Sequence, residues 1–191
     1  SSTNIRPDRA TSGKPGEEAD FFIELELVAD AGLVGFPNAG KSSILNVLSH
    51  AKAKVGDYKF TTLEPNLGEL YGFIIADIPG LIEGASKGKG LGHAFLRHIK
   101  RTKMIIHCLS LENPDIVQAY KTIRKELESY GETLPEKKEI VLLTKTDIVS
   151  PEVLKDATKK IKKLNKDVYA ISILDDEAIK KLKDTLVKIL R

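Results

Sequence analysis

The sequence predicts a three-layer α/β fold, a mainly parallel sheet with helices on both faces. Three observations carry the prediction. Apolar, β-branched runs alternate with amphipathic stretches of helical period from Phe21 onward. A glycine-rich loop, Gly35 to Ser42, joins the first apolar run to the first helical stretch. Two later apolar runs end in polar signatures, Asp77-Ile78-Pro79-Gly80 and Thr144-Lys145-Thr146-Asp147. Strands alternating with helices argue for a parallel sheet covered on both sides.

The elements follow in order. Residues 1–20 are rich in Gly, Pro, Ser and charge without a period. Residues 1–25 read as a linker or the end of a preceding domain, and 26–191 as one domain. An apolar run leads to Leu33-Val34-Gly35, and a helix is expected from Lys41 to about His50. A loop carries Tyr58 to Asn66. The run Phe73-Ile74-Ile75-Ala76 ends at Asp77, and a Gly-rich loop with a helical stretch covers Leu81 to Lys100. Met104 to Leu109 reads as a strand, 115–130 as an amphipathic helix and Glu139 to Leu143 as a strand. Pro151 suits a first helical turn, opening a helix to about Lys166. Val168 to Ile171 is a short strand, and a last helix starts near Asp175.

Composition bounds the rest. With 191 residues, 41% hydrophobic and 30% charged, the chain suits one compact domain. A net charge of +3 does not by itself imply nucleic-acid binding. No apolar run is long enough to cross a bilayer, which argues against a membrane partner. Cys108 is the single cysteine, which excludes an internal disulfide and suits a reducing cytoplasm. A monomer is expected. The chain starts at Ser1 and its one methionine is Met104, so it reads as a fragment of a longer protein.

Gly35-Phe36-Pro37-Asn38-Ala39-Gly40-Lys41-Ser42, followed by Ser43, matches G-x-x-x-x-G-K-[ST]. Its glycines let backbone N–H groups turn inward around phosphates. The following helix offers its positive end to the anion. Lys41 is expected to reach the terminal phosphates and the Ser42 hydroxyl to bind Mg²⁺. Asp77, at a strand end near the phosphates, can hold a magnesium-bound water. Gly80 can bring a backbone N–H to a γ-phosphate, with Ile78 and Pro79 alongside. Between these motifs, Thr61 or Thr62 after Phe60 can complete the magnesium shell when a γ-phosphate is present.

Thr144, Lys145 and Asp147 suit a guanine reader. A carboxylate there accepts from guanine N1–H and the 2-amino group, while adenine lacks that amino group. The Lys145 stem can lie along the base plane. Asp147 therefore disfavours an ATPase.

These residues resemble the Obg family of P-loop GTPases. The resemblance rests on Val34 to Ser42, on Phe60-Thr61-Thr62-Leu63 with Pro65-Asn66-Leu67-Gly68, and on Ala76 to Ala85. It continues through Gly90-Leu91-Gly92-His93-Ala94-Phe95-Leu96-Arg97-His98-Ile99. The tail around Pro15-Gly16-Glu17-Glu18 is similar to the end of that family's glycine-rich N-terminal domain. The resemblance implies slow GTP hydrolysis with Mg²⁺ and a role in large-ribosomal-subunit assembly, with the subunit or its rRNA as partner. It implies Ser42 and Thr62 as direct magnesium ligands and Ser172-Ile173 as a base-contacting loop. Three features depart from the family pattern. Thr144 stands where asparagine is usual, which puts base affinity and loop anchoring in question. Ile173 stands where a small residue is usual. The segment Glu69 to Phe73 is a shorter hairpin than usual.

Catalysis is expected from Lys41, Asn38, Thr62 and Gly80. Leu81 stands where Ras-like switches place a glutamine, so intrinsic hydrolysis should be slow. Asn38 either ligates a potassium ion beside the phosphates or holds its loop by a side-chain bond. The rival reading is a sensor that binds GTP, GDP or an alarmone and hydrolyses little. Cys108 and His107 read as structural, and His93 and His98 as structural or partner-contacting. Residues 151–191 carry eleven Lys and Arg against seven Asp and Glu. Lys159, Lys160, Lys162 and Lys163 read as a solvated helix surface or, alternatively, an rRNA-contacting one.

Overall fold

The computed structural model describes residues 13–16, 18–21, 29–49, 54–55, 66–77, 102–129 and 136–191. Seven strands form one sheet. They are β1 (Ala31–Val34), β2 (Lys54–Val55), β3 (Asn66–Leu70), β4 (Phe73–Asp77), β5 (Met104–Ser110), β6 (Lys138–Thr144) and β7 (Val168–Ile171). Their order across the sheet is β2-β3-β4-β1-β5-β6-β7. The run β4-β1-β5-β6-β7 is parallel, and β2 and β3 add an antiparallel edge. The expected mainly parallel sheet is borne out.

The four helices described are α1 (Lys41–Leu48), α2 (Ile116–Ser129), α3 (Pro151–Lys162) and α4 (Asp176–Leu190). Strand side chains alternate between two buried layers. Met104, Ile106 and Cys108 of β5 pack with Ile44, Leu45 and Leu48 of α1 and Ile179, Leu182 and Leu186 of α4. Ile105 and Leu109 face the other way, toward Ile123, Leu127 and Ile116 of α2 and Ile161 of α3. Burial on both faces explains why these strands read as unbroken apolar runs. Cys108 is fully buried and free, and burial pushes its thiol up to about 12.

Two boundaries differ from expectation, and one antiparallel edge was not anticipated. Asn66 opens β3 rather than ending a loop. The shortened hairpin closes through Tyr71-Gly72, both at positive φ (49° and 87°), and its antiparallel edge was not evident from period alone. Helix α3 stops at Lys162 instead of Lys166, because Asn165 bonds elsewhere. Its Oδ1 accepts from Asp167 N at 2.8 Å, and its Nδ2 donates to Glu139.

Parallel strands bring their C-terminal ends to one edge. That edge holds Val34-Gly35, Asp77, Ser110 and Thr144 together. At the opposite edge Asp30 ties β4 and β5 to β1. Its carboxylate accepts from Ile74 N at 2.8 Å and pairs with Lys103 at 2.8 Å.

Candidate functional site

The loop between β1 and α1 is held in a conformation that its sequence requires. Gly35 has φ 152°, and a Cβ there would stand 2.4 Å from the Cys108 carbonyl oxygen. Asn38 at φ 62° and Gly40 at φ 84° take left-handed turns, a region where Asn and Gly are the tolerated residues. The Lys41 ammonium, on a buried residue, donates to Gly35 O at 3.1 Å and Phe36 O at 3.0 Å.

Helix capping separates α1 from its neighbours. Asp115, Ser150 and Asp175 side chains accept from the first-turn N–H groups of α2, α3 and α4. Gly40 caps α1 with no side chain, which leaves that N-terminus for another acceptor. A cavity of about 420 Å³ lies in front of it, lined by Asn38, Gly40, Lys41, Ser42, Ser43, Glu112 and Lys145.

Ser42 Oγ donates to Asp77 Oδ2, joining the start of α1 to the end of β4. Asp77 is 3% exposed, yet its Oδ1 has no hydrogen-bond partner among the described residues. A buried carboxylate oxygen without a donor is a poor structural element. Beside a hydroxyl and an anion-accepting loop, it suits a hydrated divalent cation.

A second cavity, about 280 Å³, continues from the first. Ile44, Ile171 and Thr144 lie along it, with Lys145, Asp147 and Ile173. Thr144 is buried, and its hydroxyl donates to Ala39 O at 2.9 Å. Threonine in place of asparagine therefore still bonds the loop before α1. Asp147, on a 3₁₀ turn (Thr146–Ile148), is exposed, and its Oδ1 accepts from Ser172 Oγ at 2.6 Å. That hydrogen bond, helped by the Lys145 charge, holds the carboxyl below its usual range. Ser172 Oγ in turn accepts from Leu174 N at 3.1 Å. Ile173 and Leu174 stand exposed at the mouth.

Gly35 to Ser43, Asp77, Thr144, Lys145, Asp147, Ser172 and Ile173 therefore meet at one sheet edge. Phe60, Thr61, Thr62, Ile78, Pro79, Gly80 and Leu81 lie outside the described residues, as do His93 and His98. Glu112 escaped the sequence reading because it belongs to no motif. It lies two residues past β5, touches both cavities, and pairs with the Lys145 ammonium.

A family model described as 50S ribosome-binding GTPase matches residues 30–145. The chain belongs to this family. The resemblance to the Obg family is also borne out. The chain is 48% identical to the GTPase Obg of Persephonella marina over 99% of its own length, and 47% identical to that of Aquifex aeolicus over 97%. It spans 57% of the length of either relative. Among solved structures, the G domain of the T. maritima FeoB iron transporter matches 86% of this chain and 100% of that one, at TM-score 0.62 and 23% identity. Aquifex aeolicus Era bound to GDP and AlF4⁻ matches 84% of this chain and 55% of that one, at TM-score 0.54 and 21% identity. Those two likenesses carry the fold alone.

Proposed function

We propose that this chain is the nucleotide-binding domain of a GTP-hydrolysing switch that acts in large-ribosomal-subunit assembly. The observation that carries the reading is the Ser42–Asp77 pair, with the unpartnered Asp77 Oδ1, set between an anion-ready helix end and the Asp147 pocket. Guanine would be read by the Asp147 carboxylate, presented by Ser172, with the Lys145 stem along the base. Phosphates would lie against Gly35 to Ser43 and the Lys41 ammonium, with Phe60 to Thr62 and Ile78 to Gly80 completing the site. Mg²⁺ would be held by Ser42, Thr62 and, through water, Asp77. When bound, it neutralises charge on the phosphate oxygens.

Asn38 lines the phosphate-side cavity, and none of the described residues hydrogen-bonds its amide. That favours potassium ligation over loop-holding as its role. With leucine at position 81, hydrolysis is slow without such help. The ribosomal partner, a cytoplasmic setting, a monomer and the division at residues 25 and 26 belong to the same reading. Among the described residues no helix is long and apolar enough to cross a membrane.

Single-turnover hydrolysis of GTP, with and without large ribosomal subunits and in K⁺ against Na⁺, tests the whole. Hydrolysis faster with subunits and with K⁺ is expected. Tight GTP binding with no turnover under any condition would replace the switch by the sensor. Asp147→Asn should weaken GDP binding by about 1.5–3 kcal/mol and favour xanthine nucleotides. Unchanged GDP affinity with no gain for XDP would remove Asp147 as the base reader.

A further inference from the structure

The outer face of α3 carries a charge column that the nucleotide site does not use. Ala157 and Ile161 turn inward against the sheet. Lys155, Lys159, Lys162 and Lys163 line a shallow open groove of about 470 Å³, with Thr158 between them. None of the four pairs with a carboxylate among the described residues, whereas Lys160 on the same helix is held by Asp156 at 2.7 Å. Like charges three and four residues apart destabilise a helix by a few tenths of a kcal/mol per pair. That repulsion works against the favourable place of Lys159 and Lys162 in the last helical turn, and a counter-charge over the column would relieve it.

The column lies far from the nucleotide. The helix starts beside the base loop and runs back, so that Asn165, just past its end, bonds to Glu139 near the start of β6. An anion on this face would not compete with a nucleotide. From Lys155 to Lys163 the column spans about 12 Å at the rise of an α-helix. That is about three to four phosphates at the axial spacing of one strand.

We propose that this face docks on the phosphate backbone of RNA, a proposal that rests on the ribosomal reading above. Among the described residues no aromatic side chain lines the groove, so bases have nothing there to stack on and contact is to the backbone. Among the same residues no apolar side chain lines it, and a helix that lies on a membrane needs an apolar anchor beside its basic face. Lysines on flexible stems suit a phosphodiester track as point charges.

The test is fluorescence anisotropy of the full chain, saturated with GDP, against a single-stranded RNA and an RNA duplex, each about 20 nucleotides long, over a KCl series. Four lysines predict a slope of log affinity against log salt of about −3 to −4. The variant K155Q/K159Q/K162Q/K163Q should bind at least about tenfold more weakly at about 100 mM KCl and lose most of that slope. The variant K180Q/K181Q/K183Q/K188Q on α4 makes the same charge change elsewhere and should cost less than about threefold. GDP affinity, unchanged in both, reports intact folding.

Equal losses in the two variants would reduce the effect to net charge and overturn the proposal. So would no RNA binding by the wild type, or equal binding of phosphatidylserine vesicles or polyglutamate through the same four lysines. Sedimentation with large ribosomal subunits separates this proposal from the one beneath it. Undiminished subunit binding by the α3 variant overturns the face and leaves the ribosomal reading standing. RNA binding through the face with no subunit binding by the wild type overturns the ribosomal reading and leaves the face.

Discussion

Asp77, buried at the end of β4, and Glu139, half-buried near the start of β6 with β1 and β5 between them, are carboxylates of one sheet whose surroundings are opposite in kind. Glu139 is saturated. His107 Nδ1 donates to one oxygen at 2.9 Å. Tyr120, Asn165 and Arg124 bond the other at 3.0, 3.2 and 3.4 Å. The His107 and Tyr120 rings stack with centroids 5.1 Å apart. Burial alone would push the Glu139 carboxyl up, but His107, Arg124 and Tyr120 together hold it below the usual range. Asp77 has one hydroxyl donor and, among the described residues, no partner for its other oxygen. The first arrangement spends both Glu139 oxygens on the fold, although His107 Nε2 beside them has no hydrogen-bond partner among the described residues. The second leaves a charge-bearing atom for something outside the chain.

The largest expected effects split along this line. Glu139→Ala takes the shared acceptor from Tyr120 and His107 and one of its partners from Arg124, and should cost about 3–5 kcal/mol. For a chain of this size that lowers Tm by on the order of 10 °C, while GDP affinity of the folded protein holds. Because Glu139 titrates below its unfolded value, its contribution is present above about pH 4.3 and is lost as pH falls through the lower, folded value. The variant should lack that part of the acid limb. Asp77→Ala should change stability by less than about 1 kcal/mol and abolish the magnesium dependence of GTP binding. Calorimetric melts beside magnesium titrations decide between them. A Tm loss in Asp77→Ala equal to that in Glu139→Ala would make Asp77 structural and erase the contrast.

Thr144 sharpens the comparison, because one buried hydroxyl ties the end of β6 to the loop before α1. Thr144→Val keeps its shape and strips the donor from Ala39 O. Leaving a buried carbonyl without its donor should cost about 1–2 kcal/mol, read as about 5–30-fold weaker GDP binding. Thr144→Asn, which restores a side-chain donor at this position, should recover most of it. Wild-type affinity in the valine variant would show that the loop is held by other bonds.

What the sequence disclosed depended on how local each signal was. The phosphate loop was legible because glycines and a left-handed asparagine are demanded by the backbone itself. The strands were legible because burial on both faces makes them continuous apolar runs. The motif proposed to read a base was legible, but the bond from Thr144 was not, since its acceptor lies 105 residues away in Ala39. Glu112 and the saturation of Glu139 were invisible for the same reason. Each depends on partners brought together by strand order, and no period or spacing encodes that. The end of α3 was misplaced because Asn165 bonds back to β6 rather than continuing a lysine-rich helical pattern.

The smallest effect probes the saturated side of the contrast. Tyr120→Phe removes a hydroxyl that donates to Glu139 at 3.0 Å, yet Asn165 and Arg124 remain on the same oxygen. The ring stack on His107 survives as well. The loss near neutral pH should be only about 0.5–1.5 kcal/mol. Its pH dependence is more telling than its size. Burial first, and the Glu139 charge second, push the Tyr120 hydroxyl up to about 12, against about 10 in the unfolded chain. A folded value above the unfolded one means that the contribution is complete below about pH 10 and is lost as pH rises through the folded value. The wild-type advantage over Tyr120→Phe should therefore shrink between about pH 10 and 12. Cys108, also raised to about 12, is present in both proteins and cancels in the difference. Urea unfolding of the pair from about pH 8 to 11.5 gives the measurement. A difference that stays constant across that range would mean that Glu139 does not hold the Tyr120 proton, and the saturated cluster would then have one donor fewer than its geometry assigns.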